Sequence, residues 1–184
     1  MVINVKMVNM QRRDYLKKIW SDFNAEKNLI LVSGPRQAGK TTFAKDIAST
    51  EPVSLYFNYD IPANKARILT NPTFFEEVDR KKGNLPLIIL DEIHKYIDWK
   101  NYLKGIYDGY ADEFRFLVTG SGRLALSRKK GDALTGRYLH FHLYPFTIGE
   151  IFASSIGMED VSIITEIPEQ NAIAQEAWET MFRV

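Results

Sequence analysis

Short apolar runs alternate with stretches of helical spacing along most of this chain. Residues 28–33 (Asn-Leu-Ile-Leu-Val-Ser), 53–58, 85–92 (Leu-Pro-Leu-Ile-Ile-Leu-Asp-Glu), 114–119 and 138–143 read as strands, each a brief apolar segment bounded by turn residues. Between them apolar residues return every three or four positions. Tyr15, Leu16, Ile19, Trp20 and Phe23 predict a helix over 12–24, and Trp99, Tyr102, Leu103, Ile106, Tyr107 and Tyr110 predict one over 99–110. Further helices are expected over 42–48, 63–69, 73–80 and 172–183, with a short one over 124–130 and a turn at 81–84. Apolar strands alternating with helices predict an α/β fold, a three-layer α/β/α sandwich around a mostly parallel five-stranded sheet.

Composition narrows the setting. With 184 residues, 45% of them hydrophobic, the chain can bury a real core and is not a disordered tail. A formal net charge of +1 provides no global field toward nucleic acid or anionic membrane. Lys81-Lys82 and Arg128-Lys129-Lys130 are basic clusters best read as solvated surface. The absence of cysteine removes disulfides and thiolate metal sites. The N-terminus lacks a signal-peptide core and no apolar run reaches bilayer length, so a cytoplasmic location with no membrane partner is expected. His140 and His142 alternate on one predicted strand and share a face, but two ligands are too few for a metal, so a structural role is expected.

The segment with specific chemistry is Gly34-Pro35-Arg36-Gln37-Ala38-Gly39-Lys40-Thr41, which fits G-x-x-x-x-G-K-[ST] between a predicted strand and a predicted helix. Strand, glycine loop and helix N-terminus together aim backbone N–H groups at an anion. Gly34 and Gly39 allow a tight turn and a close approach of backbone to phosphate. Lys40 brings a mobile charge to β- and γ-phosphates, Thr41 offers a hydroxyl to Mg²⁺, Thr42 follows, and Arg36 projects from the loop. The expected nucleotide contacts therefore run over 34–42, and the helix over 12–24 either packs on the domain or clamps near the base.

The strand over 85–92 ends in Asp91-Glu92, a Walker B pattern. Ligands in open α/β sheets gather at the carboxyl ends of strands, so these acids should meet the phosphate loop. Asp91 would hold Mg²⁺, through water, and Glu92 would orient and deprotonate an attacking water. The competing reading makes both acids caps of the next helix.

As a set, residues 34–42, Leu90-Asp91-Glu92-Ile93-His94-Lys95 with Trp99, Val118-Thr119-Gly120-Ser121, Leu134-Thr135-Gly136-Arg137-Tyr138 and Leu143-Tyr144-Pro145-Phe146 resemble the prokaryotic AAA+-type ATPases. They resemble most the group whose ATPase core precedes a C-terminal domain of unknown function. The resemblance covers roughly 12–152. It implies a strand order 5-1-4-3-2, Ser121 as a sensor-like polar group at the γ-phosphate or the attacking water, and Arg137 as a cation reaching γ-phosphate in cis or from a neighbouring subunit. Arg123 competes for that last role, and Gly122-Arg123 departs from the serines more usual there. The resemblance makes 1–152 the ATPase core. It makes 153–184 a tail that begins a following domain, in a truncated or degenerate short form.

Three functions are consistent with these residues. One is Mg²⁺-dependent ATP hydrolysis, with Lys40, Glu92, Ser121 and Arg137 acting on the phosphate and Thr41 and Asp91 holding the metal. Another is a nucleotide-dependent switch that hydrolyses weakly alone and shares an arginine with a protein partner or a second copy. The last is a nucleic-acid-associated ATPase, in which Trp99, Tyr102, Tyr107 and Tyr110 beside Lys95, Lys100 and Lys104 stack on bases. An amphipathic helix packed on the sheet explains the same aromatics. A small-molecule kinase would need an acceptor pocket, and no Asn-Lys-x-Asp run supports guanine.

Overall fold

A computed structural model describes residues 17, 20, 21, 29–80, 85–122, 124, 134 and 136–146. Five strands occur among them: β1 (Leu29–Ser33), β2 (Ser54–Asn58), β3 (Leu87–Asp91), β4 (Arg115–Gly120) and β5 (Leu139–His142). All pairings are parallel and the order is β2-β3-β4-β1-β5. This is the expected order 5-1-4-3-2, read from the other edge. The sheet belongs to a compact unit over Arg12–Pro145.

Burial follows position in the sheet. The inner strands β1 and β3 are buried throughout and β4 nearly so, whereas the edge strands β2 and β5 are mostly half-buried. Successive strand residues point to opposite faces. Leu29, Leu31, Phe57, Ile88, Leu90, Phe116 and Val118 therefore fall in one core. Ile30, Val32, Leu87, Ile89 and Leu117 fall in the other.

Helix α1 (Lys40–Thr50) and Trp20 cover the second core, with Ala44 and Ile47 turned inward. The first core is closed by α2 (Pro62–Thr70) and α3 (Trp99–Tyr110). Proline at the first turn of α2 loses no helical hydrogen bond there. The buried stripe of α3 is Trp99, Leu103 and Ile106, at helical spacing. Two layers of helix on one sheet make the expected sandwich.

One expected helix is shorter than its pattern. Over 73–80 the chain forms only a 3₁₀ turn, Phe74–Glu77. Phe74 and Phe75 are adjacent and both fully buried. Phe75 makes edge contacts with Phe74, Tyr110, Phe114 and Phe116, so aromatic packing outweighs helical propensity here. Of the helix expected over 12–24, Lys17, Trp20 and Ser21 are described and helical. The turn at 81–84 and the helix over 172–183 lie outside the described residues, as do the tail over 153–184 and, beyond Leu124, the short helix expected over 124–130.

Candidate functional site

The phosphate loop leaves β1 at its carboxyl end and enters α1. Gly39 lies at φ +86°, the left-handed region, and Gln37 at φ 63°. No side chain caps α1, so the N–H groups of its first turn have no side-chain acceptor. Pro35, Arg36 and Gln37 are exposed, Thr42 is exposed on α1, and Ala38 is buried in the core beneath. Of the expected contacts over 34–42, Ala38 therefore has only its backbone to offer.

Gly34 has a reason to be glycine that the sequence did not show. A Cβ there would lie 2.1 Å from the Leu143 carbonyl oxygen. Leu143 N–H in turn donates to Ser33 O at 2.7 Å. The chain leaving β5 is pressed against the loop entry, so this crossing alone requires glycine at 34, whatever the approach of phosphate. Gly39 has open space around its absent Cβ, and there the backbone conformation is what asks for glycine.

Lys40 is 7% exposed. Its Nζ donates to Gly34 O at 3.0 Å and Pro35 O at 2.6 Å, folding the ammonium into the mouth of the loop. Burial lowers its pKa below the usual lysine value, while Glu92 and Asp91 pull the other way.

Asp91 is 1% exposed at the end of β3. Its Oδ2 accepts from Thr41 Oγ1 at 2.8 Å, Tyr56 OH at 2.6 Å and Asn58 Nδ2 at 3.3 Å. Its Oδ1 accepts from Thr119 Oγ1. The predicted meeting of loop and acid is thus direct, through Thr41. Burial, reinforced by the hydrogen bond to Asp91, raises the Tyr56 phenol above its usual pKa.

Glu92 stands just past β3 at φ 60°, uncommon for a residue with a side chain and more often met at functional sites. Neither acid acts as a cap, because the short 3₁₀ turn Ile93–Lys95 after them has no side-chain cap. The Glu92 carboxylate faces Lys95 Nζ at 3.1 Å and His94 Nε2 at 3.8 Å. Both Asp60 oxygens, at 2.7 and 2.5 Å, hold the same Lys95.

Other expectations divide. Ser121 follows β4, between the strands bearing the loop and the acids, as the strand order requires. Arg137 lies just before β5, at the amino end of that strand, where its Nε bonds Asp108 of α3 at 2.6 Å. The length of β5, about 10 Å, separates it from the loop level. In this arrangement the guanidinium is paired with Asp108. Arg123 and Thr135 lie outside the described residues.

The aromatics of α3 also turn inward. Trp99 is buried, and Tyr102, Tyr107 and Tyr110 pack on the core, with Tyr102 OH on Pro72 O at 2.9 Å. This is the packing that the amphipathic-helix reading of these aromatics expects. His140 Nε2 and His142 Nδ1 both meet Ser33 Oγ, at 2.8 and 3.1 Å, the structural role expected. Tyr56, Asn58 and Thr119 were missed. Each is a polar residue near the carboxyl end of a strand, the same signal that marked Asp91.

This donor set suits hard oxygen chemistry. A hydroxyl and a carboxylate in contact, beside a buried lysine, match Mg²⁺ shared with phosphates, which takes few protein ligands. No cluster of three or more His, Asp or Glu capable of holding a metal occurs among the described residues.

A family model described as AAA domain matches residues 26–152. The chain belongs to this family. The match to the AAA domain spans every strand of the sheet. Among curated proteins, an uncharacterized protein of Methanocaldococcus jannaschii is 28% identical over 153 residues, covering 78% of this chain and 32% of the relative. An uncharacterized protein of Mycobacterium tuberculosis is 28% identical over 127 residues, covering 69% of this chain and 27% of that one. The chain thus spans about a third or less of the length of these relatives. Among solved structures, Cdc6p from Pyrobaculum aerophilum superposes with a TM-score of 0.52 at 14% identity, over 83% of this chain and 50% of that one. At that identity the likeness concerns the fold alone. The AAA domain makes nucleotide binding of the P-loop ATPase type the function of this site. No helix among the described residues is long and apolar enough to cross a membrane.

Proposed function

We propose that this AAA domain binds ATP with Mg²⁺ and hydrolyses it. The observation that carries the reading is the 2.8 Å hydrogen bond from Thr41 to Asp91, which joins the phosphate loop to the acidic strand end. The loop N–H groups and Lys40 would bind the phosphates, Thr41 and Asp91 would hold the metal, and Glu92 would take the proton of the attacking water. Ser121, just past β4, would face that water or the γ-phosphate. Bound Mg²⁺ would bridge phosphate oxygens and neutralise charge during transfer. Phosphate release from ATP, followed with Mg²⁺ and with EDTA, tests the proposal. The expected result is release with Mg²⁺ that disappears in Lys40→Ala. Equal release by that variant contradicts it.

A second reading, a switch that hydrolyses weakly alone, has its own support. Glu92 is paired with Lys95, and Arg137 with Asp108. A neighbouring subunit or a protein partner would then complete the site with a cation. A rate per subunit that rises with protein concentration favours this reading, and a constant rate opposes it. No contact among the described residues favours nucleic acid as a partner.

A further inference from the structure

We infer that Tyr56, with Thr119 opposite it, is a positioning residue that fixes Asp91 for the metal and so sets how strongly Mg²⁺ tightens nucleotide binding. The inference rests on reading this site as a magnesium–nucleotide site.

A carboxylate offers about four lone-pair sites. Four protein donors meet Asp91: Thr41, Tyr56 and Asn58 on Oδ2, and Thr119 on Oδ1. Three of these donors crowd Oδ2 while Oδ1 accepts only from Thr119, so a metal-bound water would reach Asp91 at the remaining site on Oδ1 or where a donor on Oδ2 gives way. Thr41 is the donor able to leave, because its hydroxyl oxygen is the group that turns to a metal in such loops. The Thr41 O–H therefore holds a place on Oδ2 that would open to a metal-bound water when the hydroxyl turns.

The other three donors come from the strands flanking β3: Tyr56 and Asn58 from β2, Thr119 from β4. They remain when Thr41 turns. Asn58 is directly in register with Asp91, but its bond is the longest of those on Oδ2. Tyr56 makes the shorter one, at 2.6 Å. Its ring packs against the α1-side core, with Lys45 Nζ 5.4 Å from its centroid. Lys45 lies one helical turn beyond Thr41, so the helix that bears the metal hydroxyl also covers the tyrosine that braces the metal carboxylate. With Thr119 on the other oxygen, the carboxylate is held from both sides and cannot swing.

Partners that orient a metal-binding group typically matter by 10–100-fold in metal affinity. By linkage, a loss in metal affinity appears as a smaller tightening of nucleotide by Mg²⁺. The experiment uses the full chain and a fluorescently labelled, non-hydrolysable ATP analogue. Its dissociation constant is measured in EDTA and in saturating Mg²⁺, and the ratio is the tightening factor. In Tyr56→Phe the EDTA value should stay within about twofold of wild type, while the tightening factor shrinks about tenfold or to one. Thr119→Val should move the factor the same way, and Thr119→Ser, which keeps the hydroxyl, should restore it. If Tyr56→Phe does not fold, the two Thr119 variants carry the test alone.

An unchanged tightening factor in folded Tyr56→Phe overturns the inference and leaves the nucleotide site standing. So does an equal weakening in EDTA and in Mg²⁺, which marks a packing role. If wild-type protein binds no analogue in either condition, the magnesium–nucleotide reading fails and the inference with it.

Discussion

Gly34→Ala separates two jobs that glycine does in this loop. The built Cβ lies 2.1 Å from the Leu143 carbonyl oxygen, while ordinary contact starts at 3.4 Å, so the carbonyl must withdraw by about 1.3 Å. Backbone cannot rotate out of the way as a flexible side chain can. The withdrawal pulls on the Leu143 N–H to Ser33 O bond, which is 2.7 Å long. Overpacking costs about 1–3 kcal/mol, and losing that bond adds about 1 kcal/mol. A total near 3 kcal/mol lowers Tm by about 6–12 °C in a chain of this size. Gly39→Ala meets nothing within 4 Å and loses only the left-handed backbone preference. That is about 1–2 kcal/mol, so its Tm shift should be roughly half as large. Thermal unfolding by circular dichroism, without nucleotide, measures both. A Gly34→Ala protein as stable as Gly39→Ala, or more so, would refute the crossing of the β5 exit as the reason for this glycine.

Two further outcomes are expected from the fold. Arg115 pairs with Glu51 at 2.5 Å, with both side chains mostly buried, and Trp20 Nε1 donates to the same carboxylate at 3.0 Å. Arg115→Ala leaves Glu51 short of its main counter-charge and should cost about 2–3 kcal/mol in urea unfolding; a loss below about 0.5 kcal/mol contradicts it. Arg137→Ala should leave ATP affinity of the isolated chain unchanged while removing any rise of rate with protein concentration. A loss of affinity at high dilution would instead place Arg137 at its own loop.

Much of this architecture is legible from periodicity. Leu87 to Leu90 are apolar on both faces because β3 is covered on both, whereas the strand order, with β4 between the loop strand β1 and the acidic strand β3, comes from the family resemblance and not from periodicity. The 3₁₀ turn at Phe74 was not legible. Helical spacing over 73–80 is a local signal, whereas burying two adjacent phenylalanines depends on Phe114 and Phe116 from a distant part of the chain. The site shows the same division. Lys40, Thr41, Asp91 and Glu92 announce themselves through motif spacing. Tyr56 and Thr119 reach Asp91 only through register between strands, which no single segment encodes. The pairing of Lys95 with both Glu92 and Asp60 likewise needs two loops brought side by side. Arg137, which the family resemblance points toward the phosphate, stands just before β5, at the amino end of the strand that pairs with β1, and meets Asp108 there.

The central claim, that this AAA domain hydrolyses ATP with Glu92 as its base, is tested most directly by Glu92→Gln. The amide keeps the size of the side chain and removes its capacity to accept a proton. ATP affinity in Mg²⁺ should stay within about threefold of wild type, while single-turnover phosphate release falls by about 10²–10⁴. Release at the wild-type rate with ATP bound normally contradicts the claim.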